Sequence, residues 1–115
     1  MNSYNVKKGR WGENTAVEFL QKRGYGIVER NYRCRAGEVD IIAEKSGVIH
    51  FVEVKTRSGE RFGSPLEAIN YYKLTHIINT AGYYIYTKGL EGREISFDAI
   101  GICGDRIEFV EGINI

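Results

Sequence analysis

Proline, cysteine and long apolar runs are what this chain has least of. One proline in 115 residues leaves no proline-rich linker that would divide the chain. Two cysteines, Cys34 and Cys103, are too few and too widely separated for a zinc motif or a disulfide framework, so both are expected as reduced structural thiols. No stretch approaches the roughly 20 consecutive apolar residues that span a bilayer. Met1–Lys8 also lacks the apolar run of a secretory signal. A cytoplasmic protein with no membrane partner is expected. The formal net charge is only +1, which argues against indiscriminate binding to polyanions.

What remains is the composition of one soluble globular domain, 43% hydrophobic and 27% charged, with enough chain for a single core. Residues 1–8 are expected as a flexible segment and 9–115 as that domain. The charge is unevenly spread. Residues 1–35 hold eight Lys/Arg against three Glu, while residues 36–115 carry eight basic and twelve acidic side chains. A basic first third beside an acidic remainder suits a protein that draws phosphates to one surface and holds a cation nearby.

The acidic excess has a focus. Gly37-Glu38-Val39-Asp40-Ile41-Ile42-Ala43-Glu44 and Val48-Ile49-His50-Phe51-Val52-Glu53-Val54-Lys55-Thr56-Arg57 flank Lys45-Ser46-Gly47. Ser-Gly between two β-branched runs signals a hairpin. A turn at Ser46-Gly47 pairs residues whose numbers sum to 93 and sets Asp40 opposite Glu53, with Cβ atoms about 4.5–5.5 Å apart. Lys55, two residues on, shares their face. Two carboxylates at that spacing repel by about 3 kcal/mol at an effective dielectric near 20. A shared proton, the Lys55 ammonium or a divalent metal would offset this. A solvated sheet edge would do so as well, but the interleaved Val39, Ile41, Val52 and Val54 argue against exposure.

Around the hairpin, residues 9–23 read as a helix with Ala16, Val17 and Leu20 on one stripe, ended by Gly24. Glu13 begins that stripe, either as a functional carboxylate or as a first-turn residue favoured by the helix dipole. Gly9 and Gly12 flank it and would admit a close backbone or a phosphate. Tyr25–Tyr32 reads as a strand. Arg30, Arg33 and Arg35 follow around Tyr32, as a solvated strand end or a phosphate contact. Residues 57–63, with Arg57 and Arg61, form a glycine-containing loop next to the hairpin. Ser64-Pro65-Leu66-Glu67 is a capping box with proline at the first helical position. The helix it opens is expected to reach Lys88 with Leu74, Ile77, Ile78, Ala81 and Ile85 buried. Lys73 lies on the flank of that stripe, where it either snorkels to solvent or presents its amine at the edge of the core. The tyrosines of this helix are expected mainly in packing, with base stacking as the alternative. Residues 94–102 and 106–110 read as closing strands, with Asp98 a structural or a metal-site residue.

The order helix, strand, hairpin, helix, strand, with Glu13, Asp40 and Glu53-Val54-Lys55 at those places, resembles the PD-(D/E)xK nuclease superfamily. Gly12-Glu13, Arg30-Asn31-Tyr32-Arg33, Gly37–Ala43 and Phe51–Arg57 look very like the YraN-like family of uncharacterised bacterial proteins, which is similar to archaeal Holliday-junction resolvases. Val39 stands where the superfamily has proline. The resemblance implies an α/β, restriction-endonuclease-like three-layer fold, with a mixed sheet of about five strands in the order αβββαββ. It further implies metal-dependent hydrolysis of DNA, including structured or branched DNA. Asp40, Glu53 and Glu13 would hold Mg²⁺ or Mn²⁺, with Lys55 at the attacking water. Arg30, Arg33, Arg35, Arg57, Arg61 and Lys73 would contact the nucleic acid. A symmetric four-way junction as substrate would favour a homodimer. The alternative is an inactive nucleic-acid-binding or partner-binding module on the same scaffold.

Overall fold

The computed structural model of the chain describes residues 3–57 and 71–113. Its elements are α1 (Ser3–Lys22), β1 (Gly26–Cys34), β2 (Gly37–Lys45), β3 (Val48–Arg57), α2 (Tyr71–Lys88), β4 (Glu94–Cys103) and β5 (Arg106–Val110). The strands form one open sheet in the order β1-β2-β3-β4-β5. Only β3 and β4 pair in parallel, because α2 carries the chain back over the sheet between them. The other neighbours are antiparallel, so the sheet is mixed and the order αβββαββ holds.

The hairpin turns at the expected place. Lys45 pairs with Val48, and the register runs with the expected sum from there to Ile41↔Val52. Ser46 and Gly47 take φ of 52° and 81°, the pair of left-handed residues that a two-residue turn between twisted strands requires.

Each helix covers one face. Ala16, Val17 and Leu20 of α1 pack against Ile41, Ala43, Val52, Ile100 and Ile102. Ile77, Ala81 and Tyr84 of α2 pack against Val39, Ile42, Ile49 and Phe51. Leu20 is fully buried, a contribution of about 2 kcal/mol from this one side chain. The buried stripe of α2 is rotated from the expected one: Thr80 and Tyr84 are buried, while Leu74, Ile78 and Ile85 are half-buried. Tyr84 sets the rotation by meeting Tyr32 and Phe51 edge-on at 5.1 and 6.0 Å. Thr80 tolerates burial because its hydroxyl donates to the His76 carbonyl at 2.7 Å.

Helix α1 begins at Ser3 rather than Gly9, so most of segment 1–8 is helical. Gly12 accordingly lies within the helix and marks no anion-binding N-terminus. A Cβ on Gly12 would overlap Thr56 Oγ1 and come within 3.4 Å of Thr56 Cβ, so glycine is what lets α1 approach β3. Gly12→Ala is expected to destabilise the fold by about 1–3 kcal/mol, and Thr56→Ala in the same chain should recover most of the loss, as read by thermal melting. The proposed capping box at 64–67 and Arg61 lie outside the described residues. Cys34 and Cys103 end β1 and β4 and are not disulfide-bonded. Among the described residues no helix is long and apolar enough to cross a membrane.

Candidate active site

In β2 strand alternation breaks at one step, and the break places Asp40; β1 carries a further register shift between Ile27 and Glu29. Ile41 and Ala43 face α1 and Ile42 faces α2, as a period of two requires. Val39 should face α1 but packs with α2, as does its cross-strand partner Tyr32. Arg30, opposite Ile41, reaches α1 through Glu13. Both strands therefore change faces across Asn31 and Asp40. Asn31 sits at φ 53°, a left-handed conformation that asparagine tolerates better than most residues. The ladder to β3 ends one residue short, at Ile41↔Val52. Beyond it Asp40 Oδ2 accepts the Val54 N–H at 2.8 Å. Asp40 is thus not in regular pairing with Glu53, but its carboxylate is fastened to the backbone one residue away.

Glu53 is 5% exposed on the α2 face of β3, and Lys73 of α2 reaches its Oε2 at 3.2 Å. Burial, then the neighbouring Asp40 carboxylate, push the Glu53 carboxyl up to about 7, against the pull of Lys73 and Lys55. Asp40 is also pushed up by burial, although its bond from Val54 and the Lys73 charge oppose the shift. Lys55 lies in contact with the Lys73 amine, which lowers it, and its burial adds to the effect. Lys73 is burdened by desolvation, but the Lys55 amine and the Glu53 and Asp40 carboxylates outweigh this and keep it charged. Two acids and two lysines therefore share one partly buried site.

The raised Glu53 has a consequence for stability. Its folded pKa lies above the ordinary value of 4.5, so the folded state holds this proton more tightly than the unfolded chain. The stability it contributes is complete below pH 4.5 and is lost as pH rises through about 7; Asp40 acts in the same direction. Melting of the metal-free chain is expected to weaken from pH 5 to 8 by up to a few kcal/mol, with a flatter profile in Glu53→Gln.

Glu13 arrives from α1 but turns toward β1: its Oε1 accepts from Arg30 Nε at 2.8 Å and Asn31 Nδ2 at 2.9 Å. It is still close enough to add to the upward shift of Asp40. Arg30 is thereby tied to Glu13 and also to Asn14. Arg33 pairs with Glu38 at 2.9 Å, an exposed pair of small energetic weight. Arg35 is exposed in the β1–β2 turn and Arg57 is half-buried at the end of β3. Asp98 faces away from the carboxylates: it bonds His50 Nδ1 at 2.6 Å, the Ser96 hydroxyl at 2.6 Å and the Gly112 N–H at 3.0 Å. Its role is structural, joining β3, β4 and the segment after β5.

Two parts of this arrangement escape a reading by periodicity. Asn31 holds Glu13 and marks the face change, and its signal was an asparagine inside an otherwise strand-forming run. The His50–Asp98 pair is buried from both sides, and a lone histidine among Val48, Ile49, Phe51 and Val52 was its trace.

Carboxylate oxygens are the donors that Mg²⁺ and Mn²⁺ prefer. Both acids remain shifted upward with two lysines present, so their burial and mutual repulsion are not fully offset. A divalent cation between Asp40 and Glu53 would offset them, and the residues present fit such an ion. Glu13 is engaged by Arg30 and Asn31 instead.

A family model described as an uncharacterised protein family, UPF0102, matches residues 12–102. Similar chains include a UPF0102 protein of Clostridium perfringens, 46% identical over 89% of this chain and 84% of its own length. One of Persephonella marina is 44% identical over 87% and 86%, and one of Caldicellulosiruptor bescii is 46% identical over 96% and 95%.

Proposed function

Because the chain belongs to the uncharacterised protein family UPF0102, a membership that assigns no chemistry, we propose from the site itself that it is a metal-dependent nuclease acting on DNA. The observation that carries this reading is the pairing of buried Glu53 with half-buried Asp40, with the Lys55 and Lys73 amines beside them. The likeness of Asp40 and Glu53-Val54-Lys55 to the PD-(D/E)xK nucleases supports it. Bound Mg²⁺ would polarise the scissile phosphate and lower the pKa of a coordinated water.

The chain's own residues divide the remaining work. Asp40 is held by Val54 through Oδ2 and offers Oδ1 as a ligand whose position is already fixed. Glu53 supplies the second oxygen set, with Lys73 as the counter-ion that keeps it oriented. Lys55, on the same face, orients the attacking water and stabilises charge that develops on the phosphate oxygens. Arg33, Arg35 and Arg57 supply positive charge for the flanking backbone. Glu13 directs Arg30.

The test is incubation of the purified chain with branched, single-stranded and duplex DNA and with RNA, in Mg²⁺, Mn²⁺ or EDTA. Metal-dependent cleavage of DNA is expected. A chain inert on every substrate overturns the reading. Equal DNA binding in Mg²⁺ and EDTA with no cleavage would identify an inactive binding module.

A further inference from the structure

Next to the carboxylates, α2 and the β1–β2 turn flank an open cleft of about 430 Å³ lined by Gly37, Glu38, Tyr72, Lys73, His76 and Ile77. Its size is that of a small-ligand site. Ile77, 3% exposed, forms an apolar floor. Tyr72 forms a wall; it is 73% exposed and stands edge-on to His76 with ring centroids 4.5 Å apart. An aromatic ring this exposed gains little from the fold, and surfaces use such rings for contact.

The rim is polar in a particular pattern. His76 Nδ1 lies 3.0 Å from the Ala36 carbonyl oxygen, which can only accept. Nδ1 therefore carries the proton, and Nε2 is the acceptor of the neutral ring. The Glu38 carboxylate, held by Arg33 at 2.9 Å, is a second acceptor. Lys73 puts a cation on the remaining side and also reaches Glu53, so the cleft and the carboxylates share a side chain.

A flat aromatic wall, acceptors at the edge and a cation toward a phosphate-processing site match the parts of a nucleotide. Its base offers a π face and exocyclic amine donors, and its phosphate lies on one side. A base inside a duplex has both faces covered by its neighbours, so the occupant must be out of the stack. We propose that this cleft receives one unpaired nucleobase of DNA next to the phosphate at Asp40 and Glu53, with Tyr72 as its stacking platform. This rests on the nuclease reading and narrows its substrate class to DNA that carries a nucleotide outside the helix.

The experiment measures binding in Ca²⁺ to a short duplex bulged by one unpaired 2-aminopurine, against the same duplex with an abasic site in the bulge. The wild-type chain is expected to prefer the base-bearing duplex by about tenfold and to quench the probe. Tyr72→Phe should keep both effects and Tyr72→Ala should lose both. Tyr86→Ala, altering a ring 76% exposed elsewhere on α2, should keep them. Equal wild-type affinity for the two duplexes overturns the proposal, as does a preference that survives Tyr72→Ala. If DNA is bound and cut without the preference, the cleft assignment alone falls. If no DNA is bound, the nuclease reading falls and this inference with it.

Discussion

Glu53→Gln is expected to abolish metal-dependent cleavage while making the metal-free protein more stable above neutral pH. The first effect follows from loss of one of the two carboxylates that would hold the proposed cation. Metal assistance supplies several kcal/mol to such a reaction, so the rate should fall by about a thousandfold or more. The second follows from the cost of the native charge. Glu53 is buried beside Asp40 and is shifted to about 7 even with Lys73 at its side, so the ionised form is the costly one. A neutral amide of the same shape avoids that cost, and at pH 8 the melting temperature should rise by several degrees. At pH 5, where Glu53 already holds its proton, the gain should vanish. Cleavage assays and melting curves at the two pH values check both parts. A variant that loses activity because it unfolds would show the opposite stability change.

Lys55→Met is expected to separate turnover from metal affinity. Lys55 stands beside the acids without being an oxygen donor, so calorimetry should find Mg²⁺ or Mn²⁺ affinity maintained or increased as a positive neighbour is removed. Cleavage should nevertheless fall by about 10² to 10³, the usual loss when one preorganised charge-stabilising group is deleted. Arg at position 55 should recover little, because a planar fork does not replace a compact ammonium. If metal affinity and cleavage fall together in Lys55→Met, Lys55 acts by holding the carboxylates in place.

Much of this arrangement was legible from local rules. Ser46-Gly47 set the hairpin register because left-handed turn residues between β-branched strands leave few alternatives, and the register brought Asp40, Glu53 and Lys55 to one neighbourhood. The face change at Asn31 and Asp40 was not legible. Counting by two assumes an uninterrupted pleat, and Asn31 at positive φ and the register shift between Ile27 and Glu29 both interrupt it. Gly12 was legible as a place of close approach, which its contact with Thr56 of β3 bears out, whereas the start of α1 at Ser3 rather than Gly9 was not. The buried face of α2 was misplaced because apolar character alone was counted, while Thr80 is buried with its hydroxyl satisfied and Tyr84 is fixed by two rings.

The four charged groups of the site come from two strands of one hairpin and the helix that follows it. Asp40 and Val54 are joined across 14 residues, and none of the four lies outside the span from Asp40 to Lys73. Short loops cost little chain entropy to close, so most of the site's geometry is set within a single stretch of chain. β4 supports that stretch along the edge of β3, and α1 supports it from one face through Ala16, Val17 and Leu20. Changes at either end of the protein should therefore alter how long the fold survives more than how its charged groups are arranged.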